Sequence, residues 1–409
     1  MSAETMSAPV ALTDVESFVD GHPWEQYRWL RDNAPVYRHP EGHGPGFWAV
    51  TRHADVQRVS RDTATFSSWL GGIMIPDPDS PELLDGARHM MLYMDPPQHT
   101  RYRQLVNRGF TPRSAATWTE RIEALAAQIV DEVVERGECD LVADLAGELP
   151  SYVIAELMGI PLADGRRLYE LTEIMHSADP GLSDADHMAA VIEMHTYAGQ
   201  VAADKRKNPG HDLASTLVSA EVDGERLSDE EFNWFFLLLL NAGGDTTRNL
   251  VAGGMEALFA HPAQRARLAA DLDGLLPTAV EELLRWVSPV VYMRRTATVD
   301  TELGGRRIAA GDKVVMYYGA ANRDPAVFAE PDAFDVGRAP NPHIAFGGGG
   351  AHFCLGAHFA RIEIAAMLRQ ILSRLPDIAP AGPREPLLST FIAGPRRLPV
   401  TFAPGPRRR

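Results

Sequence analysis

Three groups of residues combine types and spacing that suit chemistry. The first is Phe346-Gly-Gly-Gly-Gly350-Ala351-His352-Phe353-Cys354-Leu355-Gly356, in which four consecutive glycines precede a cysteine and a helix-like apolar run follows it. Glycine takes positive φ freely and lets a backbone lie close against a flat ligand. A cysteine at a helix N-terminus feels the positive end of the helix dipole and is more easily held as thiolate. Such a thiolate is a soft ligand for one metal centre with an open opposite face. The second group is Ala242-Gly243-Gly244-Asp245-Thr246-Thr247, an acid beside a hydroxyl, able to relay protons. The third is His99 and Arg103, four apart and so on one face of a helix, where two donors can share one carboxylate.

Each group also has a plainer reading. A glycine run before a helix can cradle phosphate, but that loop continues with Lys-Ser/Thr and here Ala-His follows. A zinc site takes about four ligands, and the other cysteine, Cys139, is far away in the sequence. Cys354 could equally be a buried thiol, Asp245 a capped acid at a helix kink, and His99 with Arg103 a solvated basic face.

The elements that must position these groups are mostly helical. Ser228-Asp-Glu-Glu231 is a capping box, and it opens the longest helical run, ending near Phe259. That run is apolar on most faces around Trp234 to Leu240, which predicts a helix buried through the middle of the fold. At its centre two glycines, two threonines and an aspartate oppose both helix propensity and burial, and such a conflict is where a functional site is expected. Other helices are expected over 23–33, 52–62, 115–136, 145–158, 163–177, 184–207 and 277–286. Short strands are expected at Val36-Tyr37, Phe47–Val50 and Val290–Met293, and a hairpin over Leu388–Pro395. The stretch from Trp69 to Met94, with Ile73 and Ile75 exposed, reads as a long lid without secondary structure. The fold class is mainly α with small β-sheets (α+β). Residues 1–20 are expected to be disordered and 21–409 to form a single domain.

Composition narrows the function further. The chain has 409 residues, 45% of them hydrophobic, and a formal net charge of −16. The acidic balance argues against nucleic acid, which wants a basic footprint. The longest apolar run, Phe235 to Leu240, is too short for an integral membrane segment. The N-terminus lacks a signal pattern, and two distant cysteines suit a reducing compartment; a cytoplasmic location is expected.

The cysteine loop, followed by Ala360-Arg361, closely resembles the haem-binding signature of the cytochrome P-450 monooxygenases: Phe, glycines, His two before Cys, Cys-x-Gly, then Ala-Arg. It has one more residue between Phe and Cys than the commonest bacterial form, and is similar to a branch that oxidises methyl-branched lipids and sterol side chains. The resemblance extends to Ala242–Thr247, to Glu282-Leu-Leu-Arg285 and to Arg294-Arg295. It implies the P-450 fold, a triangular prism with haem b between the long central helix and the helix after the cysteine loop. It implies Cys354 as thiolate ligand within a loop bounded by Phe346 and Gly356, and His99, Arg103, Arg295 and His352 as propionate donors. Asp245 would be the proton-delivery acid and Thr246 the hydroxyl that hydrogen-bonds bound dioxygen. Glu282, Arg285 and Arg338 would brace the cysteine loop. From spacing alone, Glu282 and Arg285 are equally a surface pair.

The resemblance further implies a hydrophobic small-molecule substrate, O2, and electrons from a ferredoxin with its NAD(P)H-dependent reductase, the protein being a monomer. Arg101, Arg108, Arg113 and Arg361 are candidates for a basic dock. Candidate pocket walls are Ile73, Leu238, Ala242, Val290, Val291, Phe391 and Ile392, all apolar. The expected reaction is hydroxylation of an aliphatic carbon in a methyl-branched lipid, isoprenoid or sterol side chain. Terpenoid or polyketide tailoring is the alternative, and a haem-thiolate sensor fits less well, since a sensor needs no proton relay.

Overall fold

The computed structural model describes residues 10–176, 181–222 and 224–408. Its helices are α1 (Trp24–Asn33), α2 (His53–Arg61), α3 (Pro81–Ala87), α4 (Gln98–Asn107), α5 (Pro112–Ala116), α6 (Thr119–Val133), α7 (Glu148–Met158), α8 (Leu162–His176), α9 (Asp184–Lys207), α10 (Leu213–Ser219), α11 (Asp229–Ala260), α12 (Pro262–Ala270), α13 (Leu272–Val287), α14 (Tyr318–Ala321) and α15 (Ala357–Arg374). The strands are short: β1 (Val36–His39), β2 (Phe47–Val50), β3 (Phe66–Ser67), β4 (Glu138–Asp140), β5 (Glu221–Val222), β6 (Glu225–Arg226), β7 (Tyr292–Ala297), β8 (Thr301–Leu303), β9 (Arg306–Ile308), β10 (Lys313–Tyr317), β11 (Ala379–Pro380), β12 (Glu385–Pro386), β13 (Pro395–Arg397) and β14 (Pro399–Thr401). About 53% of the chain is helical, as the mainly α reading expects.

The long helix α11 begins as the sequence dictates. Ser228 Oγ accepts from the Glu231 N–H while the Glu231 carboxylate accepts from the Ser228 N–H. It then runs unbroken for 32 residues. The poor helix formers at its centre do not kink it out of register, because α7, α8 and α9 pack along one side and α13 and α15 along another. Tertiary packing outweighs a propensity deficit of roughly 1 kcal/mol per glycine. Gly253 and Gly254 admit α13 closely: a Cβ there would lie 3.0 Å from Val287 Cγ1 and 3.2 Å from Leu283 Cδ1.

Beside this helical body lies a five-stranded sheet in the order β1-β2-β10-β7-β3, with β2 and β10 parallel and the other pairs antiparallel. It carries Arg294 and Arg295 on β7, held in register opposite Val315 and Val314.

Two expectations change here. Residues 1–9 of the segment expected to be disordered lie outside the described residues; from Val10 onward the chain is packed instead. Asp14 caps a 3-10 turn over Val15–Phe18, and Leu12 and Phe18 are 0% and 4% exposed. The stretch 69–94 is not structureless. Ser80 caps α3, with Pro81 in its first turn, and a 3-10 turn covers Met91–Tyr93. Ile73 and Ile75 are buried rather than exposed, at 5% and 3%. They are drawn in because Asp77 is clasped by Arg294 Nη1 at 2.6 Å and Lys313 Nζ at 2.8 Å.

Candidate active site

The cysteine loop closes on itself through the Cys354 N–H, which donates to Phe346 O at 2.9 Å. Gly347, Gly349 and Gly350 have φ of 97°, 92° and 82°, the left-handed region that other residues avoid. Two glycines of the run also have close protein neighbours. A Cβ on Gly348 would lie 2.9 Å from Gln57 Cα, and one on Gly350 2.7 Å from Ser60 O. Gly348 and Gly350 therefore let the loop seat closely against α2. Gly356 differs: a Cβ there would meet no protein atom within 4 Å.

Cys354 lies three residues ahead of α15 and keeps an accessible side chain. Burial pushes its thiol pKa up, while N–H groups of Gly356 and Ala357 and the charges of Arg103 and Arg361 pull it towards thiolate. Cys139, on β4, has its thiol pushed up to about 12, chiefly by burial.

On the loop's flank, His99, Arg103, Arg295 and His352 converge. The two imidazole centroids are 4.3 Å apart, Arg103 Nη1 donates to Ala351 O at 2.9 Å, and Ser68 Oγ lies 3.3 Å from His352 Nε2. His99 and Arg295 are almost fully buried, yet His99 Nδ1 and Arg295 Nε have no hydrogen-bond partner among the described residues. Burial and the neighbouring Arg103 and Arg295 hold the His99 imidazole down at about 4. So dense a set of donors wants an anion. A cavity of about 300 Å³ opens beside them, lined by His99, Thr100, Arg103, Gln104, Asn107, Gly350 and Ala351.

The acid and the hydroxyl lie on α11. Within its buried centre, Leu238, Ala242 and Thr246 are the open positions at spacing four, while Leu239, Leu240, Gly244, Asp245 and Thr247 beside them are buried. This places Leu238, Ala242 and Thr246 on a single face. Thr246 Oγ1 donates to Ala242 O at 3.0 Å, and Asn249 Nδ2 to Asp245 O at 2.8 Å. The Asp245 carboxylate turns aside to Arg248, with Oδ1 3.2 Å from Nη2. Arg248 in turn donates through Nη1 to Tyr169 Oη on α8.

The floor is braced by Glu282. It accepts from Arg285 Nε at 2.7 Å, Arg285 Nη2 at 2.8 Å, Arg338 Nε at 3.1 Å, Asn341 Nδ2 at 3.1 Å and the Asp335 N–H at 3.0 Å. Glu282 and Arg285 are completely buried, so this is not a surface pair.

The apolar walls are mixed. Val290 bridges Ile392, and Val291 N donates to Phe391 O at 2.8 Å, so the C-terminal hairpin joins β7 beside the site. Val290, Phe391 and Ile392 keep part of their surface open. Val291 does not line a pocket: it is fully buried in a cluster with Tyr27, Leu30, Phe47 and Tyr317, because adjacent residues of an extended chain face opposite sides. Ile73 is nearly closed off.

Arg361 is likewise not a free member of a surface dock. Its Nε and Nη2 reach the two Glu281 carboxylate oxygens at 2.6 and 2.9 Å, and its Cζ lies 4.6 Å from the Phe346 ring centroid. The Arg108 side chain lies outside what the structure describes. Tyr169 and Glu281 join the site through partners far along the chain, which their spacing does not announce, whereas Arg248 stands at i,i+3 from Asp245, a local signal that the sequence reading missed.

The residues present fit a haem. Gathered donors answer two propionates, a cysteine with a depressing helix terminus answers the iron, and Gly356 leaves space on the ring side. The comparisons with known proteins agree. A family model described as Cytochrome P450 matches residues 167–392. A methyl-branched lipid omega-hydroxylase of Mycobacterium tuberculosis is 45% identical over 91% of this chain and 90% of its own. A steroid C26-monooxygenase of Rhodococcus jostii is 38% identical over 95% of this chain and 84% of its own. A Mycobacterium marinum cytochrome P450 solved in complex with pseudoionone superposes with a TM-score of 0.89 at 40% identity, covering 97% of this chain and all of that one. With likeness this close along almost the entire length, the chain belongs to the cytochrome P450 family of haem-thiolate monooxygenases.

Proposed function

We propose that this enzyme hydroxylates an aliphatic C–H bond of a methyl-branched lipid, isoprenoid or sterol side chain, with Cys354 as the thiolate ligand and a ferredoxin as electron donor. The observation that carries the reading is the open face Leu238–Ala242–Thr246, which sets an apolar wall and a hydroxyl together on one helix. Family membership implies O2, a redox partner and a hydrophobic substrate. The finer substrate class is supported by the apolar, uncharged side chains of Leu238, Ala242, Val290, Phe391 and Ile392, and by the relatives named for methyl-branched lipid and steroid oxidation.

The bound haem supplies reductive activation of dioxygen and insertion of one oxygen atom into a C–H bond. The chain's residues do the rest. Arg103, Arg295, His99 and His352 take the two propionates, and the donors left unpaired in this arrangement then find partners. The Gly356 and Ala357 N–H groups and the α15 dipole oppose the burial that raises the Cys354 thiol, and would stabilise it as thiolate once it ligates the iron. Thr246 Oγ1 donates its hydrogen bond to Ala242 O at rest, which leaves its lone pairs free to accept. Donating to another partner requires it to release that bond. Asp245, one residue back and paired with Arg248, recharges the hydroxyl from the α8 side. Glu282, through Arg285 and Arg338, fixes the segment that leads into the cysteine loop.

The test is direct. Purified haem-loaded enzyme is titrated with a terminally methyl-branched fatty acid, a C27 3-ketosterol and a linear fatty acid, then turned over with surrogate ferredoxin and reductase. Terminal hydroxylation of a branched substrate, with preference over the linear acid, is expected. Turnover confined to polyketide substrates would favour the tailoring alternative, for which structural neighbours from bacillaene and leinamycin biosynthesis, at 34% and 33% identity, give weaker support.

A further inference from the structure

We infer that Glu281 and Arg361 form an opposed pair of charges that sets the reduction potential of the cysteine-ligated cofactor, with Arg361 the near member and Glu281 its positioning partner. The inference rests on Cys354 being the ligand, as proposed above. Arg361 lies about one turn into α15 and seven residues after the cysteine, and it is fixed from three sides. Glu281 on α13 receives it in a two-bond fork, Ala357 O accepts from Nη1 at 3.2 Å, and the Phe346 ring lies under its guanidinium. Phe346 is the residue whose carbonyl receives the Cys354 N–H. One guanidinium is thus stacked on the anchor of the cysteine loop, and its charge draws the Cys354 thiol towards thiolate.

His343 completes the arrangement. Its Nδ1 accepts from the Ala345 N–H at 3.2 Å, so Nε2 carries the proton and donates it to Glu281 Oε2 at 2.9 Å. Burial alone would raise the Glu281 carboxyl. The bonds from Arg361 and His343 overcome that and hold it at about 2, so Glu281 is a full negative charge at neutral pH. Neither Glu281 nor Arg361 is deeply buried, but about two-thirds of each side chain is shielded, enough for a field to reach the ligand.

The sign of each effect follows from charge. Reduction by one electron, delivered by the redox partner, adds one negative charge to the cofactor. A nearby cation favours that state and a nearby anion opposes it. Glu281→Gln should therefore raise the midpoint potential, and Arg361→Gln should lower it. The double variant should return close to the parent, because it removes one charge of each sign. Arg103, the other cation near Cys354, is unchanged throughout.

The experiment measures the ferric/ferrous midpoint potential of the haem-loaded enzyme and its three variants by spectroelectrochemical titration. The reduced, CO-bound absorption band is recorded on each sample. Shifts of opposite sign, cancelling in the double variant, with the thiolate band kept, support the pair. Shifts of the same sign, or none, with the band kept, overturn it and leave Cys354 ligation intact. If the parent itself lacks a thiolate band, the ligation reading fails instead, which separates the two. Should Arg361→Gln fail to bind haem, Arg361→Lys and Glu281→Asp keep both charges. They must then hold the parent potential while Glu281→Gln rises, and a rise in either charge-keeping variant equal to that of Glu281→Gln overturns the inference.

Discussion

Arg248 Nη2 lies 3.2 Å from Asp245 Oδ1, both side chains less than one-tenth exposed, and Tyr169 of α8 receives the guanidinium's other terminal nitrogen. The carboxylate therefore points along α11 towards α8, while the open face beside it is presented by Thr246. An acid so placed is turned away from the open face, and the relay proposed above runs from it through the Thr246 hydroxyl. Asp245→Asn removes the transferable proton with little change of shape. Turnover should fall about 10²-fold, the range of one general acid, and the solvent isotope effect should rise. The substrate-induced spectral shift should keep its Kd. Single-turnover kinetics in H2O and D2O checks this, and unchanged turnover would remove Asp245 from the relay.

Thr246 differs from Asp245 in what its loss should do. Its hydroxyl is held to Ala242 O within the open face. Thr246→Ala leaves electron input intact but removes control over where protons arrive. NADPH consumption should stay within a factor of about three, while product per NADPH falls about tenfold and peroxide appears in its place. Parallel assays of product and peroxide decide the matter.

Much of this site is legible in the chain because its residues lie close in sequence. Cys354, His352 and Phe346 share one loop, and Asp245, Thr246, Ala242 and Leu238 share one helix, so period and spacing carry them. What is not legible depends on distant contacts. The glycines of the loop also seat against Gln57 and Ser60, nearly three hundred residues earlier, a contact that nothing in the local sequence announces. Val291 reads as a pocket residue because its neighbour is one, but which side of an extended strand faces the core is settled by α1 and β10. The helix α3 carries a local signal, Ser80-Pro81-Glu82, which its Gly- and Pro-rich surroundings obscure.

Glu282 offers a test of the brace. Its carboxylate answers two arginines, one asparagine and one backbone N–H, all in a buried setting. Removing it in Glu282→Ala leaves Arg285 charged, buried and without its acid. Breaking such a pair costs about 3–5 kcal/mol. Urea unfolding of the variant should show that loss, with haem release during purification. A stable, haem-retaining variant would mean that the segment from Asn322 to Arg338 is fixed by other contacts.

Ala242 is the place where the shape of the substrate should be felt. It is exposed on the open face, one turn from Leu238 and one from Thr246, so a larger side chain there fills space and does not overpack the core. Ala242→Leu should weaken binding of branched or sterol substrates about tenfold, the effect of about 1.4 kcal/mol, and affect a slim linear chain less. Spectral titration of each substrate class against both proteins tests this. Equal weakening for all classes would place the substrate elsewhere along the wall.

Glu363 makes the stability of the fold depend on pH in an unusual direction. It lies on α15, is almost fully buried, and its Oε2 has no hydrogen-bond partner among the described residues. Burial pushes its carboxyl up to about 8, against an ordinary value of 4.5. Between those two values the folded chain holds a proton that the unfolded chain has released, so this residue's contribution to stability falls as pH rises and is smallest above pH 8. Glu363→Gln keeps the shape and the protonated form's hydrogen-bonding character while removing the titration. At pH 5 the variant and the parent should unfold at similar urea concentrations. At pH 8.5 the variant should be the more stable by on the order of 2 kcal/mol or more, since every tenfold difference in proton affinity between folded and unfolded chain is worth about 1.4 kcal/mol. Urea titrations at several pH values measure the difference, and a constant gap between the two proteins from pH 5 to 8.5 would show that the Glu363 carboxyl finds a partner and ionises in the folded state.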